Sequence, residues 1–557
     1  MSFLTIVQST LKHSWARVVA WLVTTSALCA IPLAAALLSS DEALARLAGV
    51  HAALVFVGAF VACLILCIVA FVCLRCVGIV RIAWAKKLFV PTWLGIGIPA
   101  LVMLVCWLPY LVAFAPGTMG WDTGFQISQC YPNHGPILSV PWSATKSYVD
   151  CMFSDHHPVF TTMVFGLFAL GSEKLTGSWN MGLTIYIALQ AIAMSLSFSL
   201  LCMYMRRIGC PALLCLVALC FFCLLPPFAI NAATVIKDTL FSWVFVLYFI
   251  LICEVARTHG LALESNRFLI ALVVATALMC LTKKTGLYIV LPTAVIFCIA
   301  LRSNVLRMLA PAIAAAVLMV IVLPRVIFPL INAIPGGKQE MLGTPLQQTA
   351  LVVLRHGEEL PAEERAAIDA VVDYGKIGEA YDPTSVDPVK FLYRWDSATN
   401  EDVLRYVGTW VSEGTRYPGA YVRAAWDLLQ PFFDPSARMT LYTSAGGTKD
   451  NGDKTYFFEA TQSLREALLK CYSVLLELPG IGFLYSNALY AWVIPVAAFM
   501  SVLFFDRKAE LMLPFVPVAL VVLSVLLSPA ALSRYLFPLL YTAPLLVGVS
   551  QRAIAKE

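Results

Sequence analysis

The sequence predicts an all-α polytopic membrane protein with about twelve transmembrane helices and an inserted, mainly helical extracytoplasmic domain. Three observations predict it. Hydrophobic residues make up 60% of the chain and charged residues only 13%, about half of the roughly 25% that soluble domains carry. Twelve apolar runs approach the roughly 20 residues that one crossing needs. Basic residues gather at alternate ends of those runs, as the positive-inside rule requires.

The runs lie at about 16–38, 52–74, 92–114, 180–204, 211–231, 239–256, 267–282, 286–302, 307–328, 487–505, 511–528 and 532–550. The first is of span length and lacks a cleavage motif, so it reads as a retained helix and not a signal peptide. The two shortest, 267–282 and 286–302, are separated only by Lys283, Lys284 and Thr285. A further apolar stretch, Pro158 to Gly171, covers about 21 Å as a helix, short of a core about 30 Å thick. It reads as a helix lying at the interface or dipping partway in.

With the N-terminus in the cytoplasm, sixteen Lys and Arg residues flank the cytoplasmic ends, against six in the short outer loops. Were 158–171 a full span, Arg206 and Arg207 would face outward, so the charge pattern favours the interfacial reading. Both termini are then cytoplasmic, in the plasma membrane. The chain divides into helices 1–3 (1–115), an outer loop with its interfacial helix (116–179), helices 4–9 (180–330), an extracytoplasmic domain (331–485) and helices 10–12 (486–557). The net charge of +5 is modest, and no polybasic arm points to nucleic acid. Most of the seventeen cysteines lie inside apolar runs and read as small buried hydrophobes. Cys130 and Cys151 fall in the outer loop, where an oxidising compartment allows a disulfide.

The chemistry-bearing residues lie at the predicted outer boundary. The loop after span three reads Pro-Gly-Thr-Met-Gly-Trp-Asp-Thr-Gly, with Asp122 at its centre and Trp121 as an interfacial anchor. A partly desolvated carboxylate there can serve as a general base; the plain alternative is a turn cap. The loop ends Ser-Asp-His-His-Pro, so Asp155, His156 and His157 gather donors suited to a divalent ion or a polar substrate, or simply cap the next helix. Lys237-Asp238, Lys283-Lys284 and Arg534-Tyr535 each mark an outer helix end. Any one of them is an ordinary snorkelling charge. Together with Asp122 and Asp155 they suit a lipid-linked phosphate: cations hold the anionic leaving group while a carboxylate deprotonates the acceptor. No nucleotide-binding or hydrolase motif stands in a convincing context.

The order of these motifs resembles the GT-C superfamily of membrane glycosyltransferases, which use polyprenyl-phosphate sugars outside the cytoplasm. The likeness is nearest to bacterial mannosyl- and aminoarabinosyl-transferase types, and covers the chain from about residue 92. Gly120-Trp121-Asp122-Thr123, the Asp-His-His-Pro and Thr344-Pro345-Leu346-Gln347-Gln348 look like a bacterial family assigned to that superfamily. The resemblance implies a GT-C-like fold and transfer of a sugar to a cell-envelope glycan, lipid or protein hydroxyl by inverting displacement. Asp122 would be the catalytic base. Asp155 and His156, with His157, would line the acceptor or sugar site and could hold a divalent metal ion. Lys237, Lys284 and Arg534 would bind the donor phosphate, Asp238, Lys283 and Tyr535 would belong to the same substrate site, and 331–485 would select the acceptor. The chain departs from the family in lacking an Asp-Glu pair near the base and in carrying two spans ahead of the loop's own helix. Twelve spans also suit a transporter or flippase of a lipid-linked or anionic solute, although no internal repeat is present. A non-catalytic scaffold is a third reading; it would leave Asp122 more than about 15 Å from Lys237 and Arg534, beyond reach of one substrate.

Overall fold

The computed structural model describes residues 15–40, 50–80, 82, 84–131, 153–395, 397–446 and 454–555. They are overwhelmingly helical. α1 (Trp15–Ser40) and α2 (Val50–Ile79) pack as a pair and precede α3 (Trp93–Ala113). Strand β1 (Thr118–Met119) leads into the short α4 (Trp121–Ser128), and β2 (Phe153–Asp155) into α5 (Val159–Thr176). Then follow α6 (Asn180–Arg207), α7 (Ala212–Leu224), α8 (Pro226–Ala232), β3 (Thr234–Val235), α9 (Lys237–Arg257), α10 (Asn266–Thr282), α11 (Thr285–Leu301) and α12 (Val305–Val317). The α12 helix runs on to Leu330. The insertion holds β4 (Ala333–Pro335), α13 (Gly343–His356), α14 (Ala362–Asp369), α15 (Asn400–Arg416), α16 (Pro418–Phe433) and α17 (Gln462–Glu477). The chain closes with α18 (Ile494–Phe505), α19 (Phe515–Leu526) and α20 (Phe537–Ile554).

Each apolar run read from the sequence is helical here. Six helices, α1, α2, α3, α6, α9 and extended α12, are long and apolar enough to cross a bilayer. The pair α7 and α8, bent by 59°, is a seventh if it counts as one span. The bend follows from Leu225, extended, and Pro226 at the first position of α8, which cannot donate back to α7. The helices Asn266–Thr282, Thr285–Leu301, Leu489–Phe505 and Glu510–Leu526 are apolar but shorter.

In lipid there is no water to expel between helices, so close packing and internal hydrogen bonds hold a bundle together. An aromatic seam supplies the packing here. Phe198 of α6 stacks on Phe222 of α7 at 4.3 Å and meets Tyr541 of α20 edge-on at 5.0 Å. Trp107 of α3 is fully buried and donates to the Phe222 carbonyl at 2.9 Å. At one end of the bundle, Arg207 of α6 and Arg257 of α9 both grip Glu254. The residues discussed below collect at the other end.

α5 leaves that second end and returns to it. Its Glu173 pairs with Lys454 at 2.6 Å, and Asn180 bonds the backbone of Tyr456. The same segment runs on to Arg465, which donates to the carbonyl of Ala113, the last residue of α3. Both ends of α5 therefore lie at that second end, and the helix packs alongside the first half of α6. It sits so close to α6 that a Cβ on Gly182 would overlap the Phe168 carbonyl.

The insertion is less uniform than one domain over 331–485. A core of its own spans Leu342 to Ala424, built on Leu346, Val352, Ile368, Val371 and Tyr406. In its middle Glu413 is wholly buried, accepting from Thr349 at 2.9 Å and Tyr421 at 3.3 Å. Later residues lie on the membrane helices: Trp426 donates to Ser39 of α1 at 2.8 Å. The Thr344–Gln348 motif builds the domain core, with Gln347 donating to the Asp382 carbonyl and Gln348 accepting from Trp410.

Candidate functional site

Two parallel strand pairs bring the site together. β1 pairs with β3 in the register Thr118–Thr234, and the two hydroxyls meet at 2.8 Å. Thr123 then donates to the Val235 carbonyl at 2.5 Å. Asp122 and Lys237, each a few residues past its strand, are thereby set side by side. β2 pairs with β4, which brings Asp155 to the start of the insertion.

The Asp122 carboxylate is held from three directions. Oδ2 accepts from Lys237 Nζ at 2.8 Å and from Arg534 at 3.0 Å, while Oδ1 lies 3.9 Å from His157 Nε2. Lys237 also sits 3.0 Å from His157 Nδ1. An ammonium can only donate, so neutral His157 carries its proton on Nε2, toward Asp122. Arg534 reaches on to Asp238 at 3.5 Å, and Asp238 pairs with Lys283 at 2.6 Å. The Lys283 ammonium lies over the Tyr535 ring at 4.5 Å. A second pair stands alongside: Lys284 binds Asp155 at 2.8 Å and also contacts its backbone carbonyl. His156 packs on His157, with ring centroids 4.4 Å apart, and faces Glu340 at 3.8 Å; Glu340 in turn pairs with Lys390.

All ten sequence-predicted residues thus lie in one charged cluster at the end of an apolar bundle. The scaffold reading required a wide separation of Asp122 from Lys237 and Arg534, and the geometry is the opposite. The side chain of Asp238 is 1% exposed and Lys283 largely covered, so that pair is sealed. Asp122 at 22% and Lys284 at 41% remain open to a ligand. Four cations against three carboxylates leave the cluster a net positive charge, which favours an anion.

Burial opposes charge on Asp122, but Lys237, Arg534 and His157 outweigh it and hold the carboxyl well below its ordinary range. Burial, reinforced by Lys237, pushes His157 well below the usual histidine value, and burial lowers His156 as well. Burial raises Asp155, only partly offset by Lys284. Burial also lifts the Tyr442 phenol to about 12, so it stays protonated.

Asp155 and His156, expected as a metal pair, face different partners. The Asp155 carboxylate turns to Lys284 while His156 turns to Glu340. Among the described residues no group of three or more His, Cys, Asp or Glu is placed to hold a metal ion. Asp155 ends a strand, where successive side chains leave opposite faces, so adjacency in sequence does not make two ligands converge. Cys130 packs against Gly166; Cys151 lies outside the described residues, and so does any pairing between them.

Sequence reasoning missed Tyr442, which accepts from Arg534 at 2.9 Å, and the Glu340–Lys390 pair from the insertion. None of the three breaks or flanks an apolar run, the signal that exposed the others. Neither a curated protein nor a solved structure matches the chain. Residues 9–553, nearly the whole sequence, match one described family, and the chain therefore belongs to the Family of unknown function (DUF6020).

Proposed function

We propose that this protein is a membrane glycosyltransferase of GT-C type that moves a sugar from a polyprenyl-phosphate donor to an acceptor hydroxyl outside the cytoplasm. The observation that carries the reading is Asp122, gripped by Lys237 at 2.8 Å and Arg534 at 3.0 Å, cations from separate elements at one end of an apolar bundle. In this reading all twelve apolar helices cross the plasma membrane, the termini are cytoplasmic, and the insertion stands outside, where an envelope glycan, lipid or protein can reach it.

With Lys237 and Arg534 on it, Asp122 stays ionised but weakly basic. A donor phosphate competes for both cations, and as they turn to it the basicity of Asp122 rises. The acceptor oxygen then bonds to the anomeric carbon while its proton passes to Asp122. The bond from that carbon to the phosphate oxygen breaks, its electron pair leaves with the polyprenyl phosphate, and configuration inverts. The preset cations stabilise the charge that grows on the departing phosphate. Lys284 and Asp155 line the open side of the same cluster. No step passes through a metal.

Asp122→Asn is expected to leave a folded protein and lower transfer by about 10²–10⁴-fold, the usual contribution of a general base. Mass spectrometry of envelope glycans from cells carrying the variant measures it, and unchanged product would refute the assignment. A transporter or flippase of a lipid-linked or anionic solute is the second reading, favoured by the 59° break between α7 and α8. Reconstituted vesicles separate the two: flux of an anionic lipid without sugar transfer supports transport.

A further inference from the structure

We infer that Tyr442 is a positioning residue that fixes the Arg534 guanidinium on Asp122, and that its segment locks together the two loops carrying that pair. The inference rests on the reading of Arg534 as a phosphate ligand. Residues 440–444 touch both loops through the backbone. The Thr440 N–H donates to Ser533 Oγ at 3.0 Å, one residue before Arg534. The Ser444 carbonyl accepts from the Met119 N–H at 2.9 Å, three residues before Asp122. Tyr442 lies midway between these two anchors. Its hydroxyl accepts from Arg534 at 2.9 Å, and its ring occupies the space a side chain at 120 would need. A Cβ on Gly120 would lie 2.6 Å from that ring. The loop before Asp122 therefore carries glycine for a steric reason, and the ring in turn is held by the loop.

A guanidinium is a planar fork of five donors, and its value depends on its orientation. Arg534 spends one edge on Asp122 and reaches Asp238 with another. A third carboxylate would orient it further but would cancel the charge that an anion needs. A protonated phenol orients it and leaves the charge intact.

The test uses the full chain in lipid nanodiscs, titrated with farnesyl phosphate and with farnesol, which share a chain and differ in the phosphate. Tyr442→Phe keeps the ring and removes the hydroxyl. It is expected to weaken farnesyl phosphate about tenfold, the scale of one hydrogen bond to a charged group, with farnesol unchanged. Equal weakening of both probes, or of neither, overturns the inference. If the unaltered chain prefers neither probe, the phosphate-donor reading fails, and thermal unfolding decides the Tyr442 contact by itself. There Tyr442→Phe combined with Arg534→Gln is expected to cost less than the sum of the two, and additivity overturns it. Gly120→Ala is expected to lower the unfolding midpoint and Tyr442→Ala to relieve that loss; a double variant no better than Gly120→Ala counts against the packing.

Discussion

Glu413→Gln is a sharp test of how the insertion is held together. Glu413 sits on α15, fully buried, where Thr349 of α13 and Tyr421 of α16 donate to it. Among the described residues no cation pairs with it, and its other carboxyl oxygen has no hydrogen-bond partner. Burial is the main cause that pushes its carboxyl up from 4.5 to about 7, against the hydroxyls that favour the charged form. The folded-state value is raised, so the stabilisation belongs to the protonated form. It is complete below the unfolded value and is lost as pH rises through about 7. At 1.36 kcal/mol per unit, a shift of this size makes the ionised side chain cost about 3 kcal/mol at pH 8. Glutamine keeps an acceptor for both hydroxyls and carries no charge at any pH. For a unit of under a hundred residues, about 3 kcal/mol corresponds to roughly 12–24 °C in midpoint if the insertion melts by itself, and less where the bundle supports it. The assay is thermal unfolding of the full chain in nanodiscs at pH 5 and pH 8, followed by proteolysis within the insertion. The native protein is expected to lose stability on going to pH 8, and Glu413→Gln to hold its pH 5 value. Equal pH dependence in the two proteins would sink the argument.

Three other outcomes follow from the cluster. Lys283→Met strands Asp238 with only the longer Arg534 contact and is expected to cost about 3–5 kcal/mol, the scale of breaking a buried pair. Lys284→Met, at a far more exposed lysine, is expected to cost under about 1 kcal/mol, and thermal midpoints measured side by side give the order. His157 has a depressed value, so the folded chain takes up that proton later than the unfolded chain, and stability drains as pH falls below about 6.5. His157→Gln is therefore expected to flatten the acid side of the unfolding profile, and an unchanged slope from pH 6.5 to 5 contradicts it.

The membrane character and the charged end were legible because both are written in local contrast. A lysine pair between two apolar runs, as at Lys283 and Lys284, is visible without knowing the fold, and the sidedness of basic residues assigns it an end. The partners within that end were not legible. Whether Lys283 binds Asp238 or Asp122 depends on how α9, α10 and α20 rotate against one another, and no sequence pattern records it. β1 and β3 are two residues each, too short for any alternation to announce them. Tyr442 lies in an irregular stretch and reaches Arg534 across 92 positions. Thr344–Gln348 is conspicuous in sequence, and Gln347 and Gln348 spend their hydrogen bonds inside the insertion.

The pairing of β1 with β3 sets Asp122 beside Lys237 using only residues of the first half of the chain. Arg534, which completes the grip on Asp122, is made almost last. A product cut short anywhere between residues 237 and 534 has the lysine without the arginine.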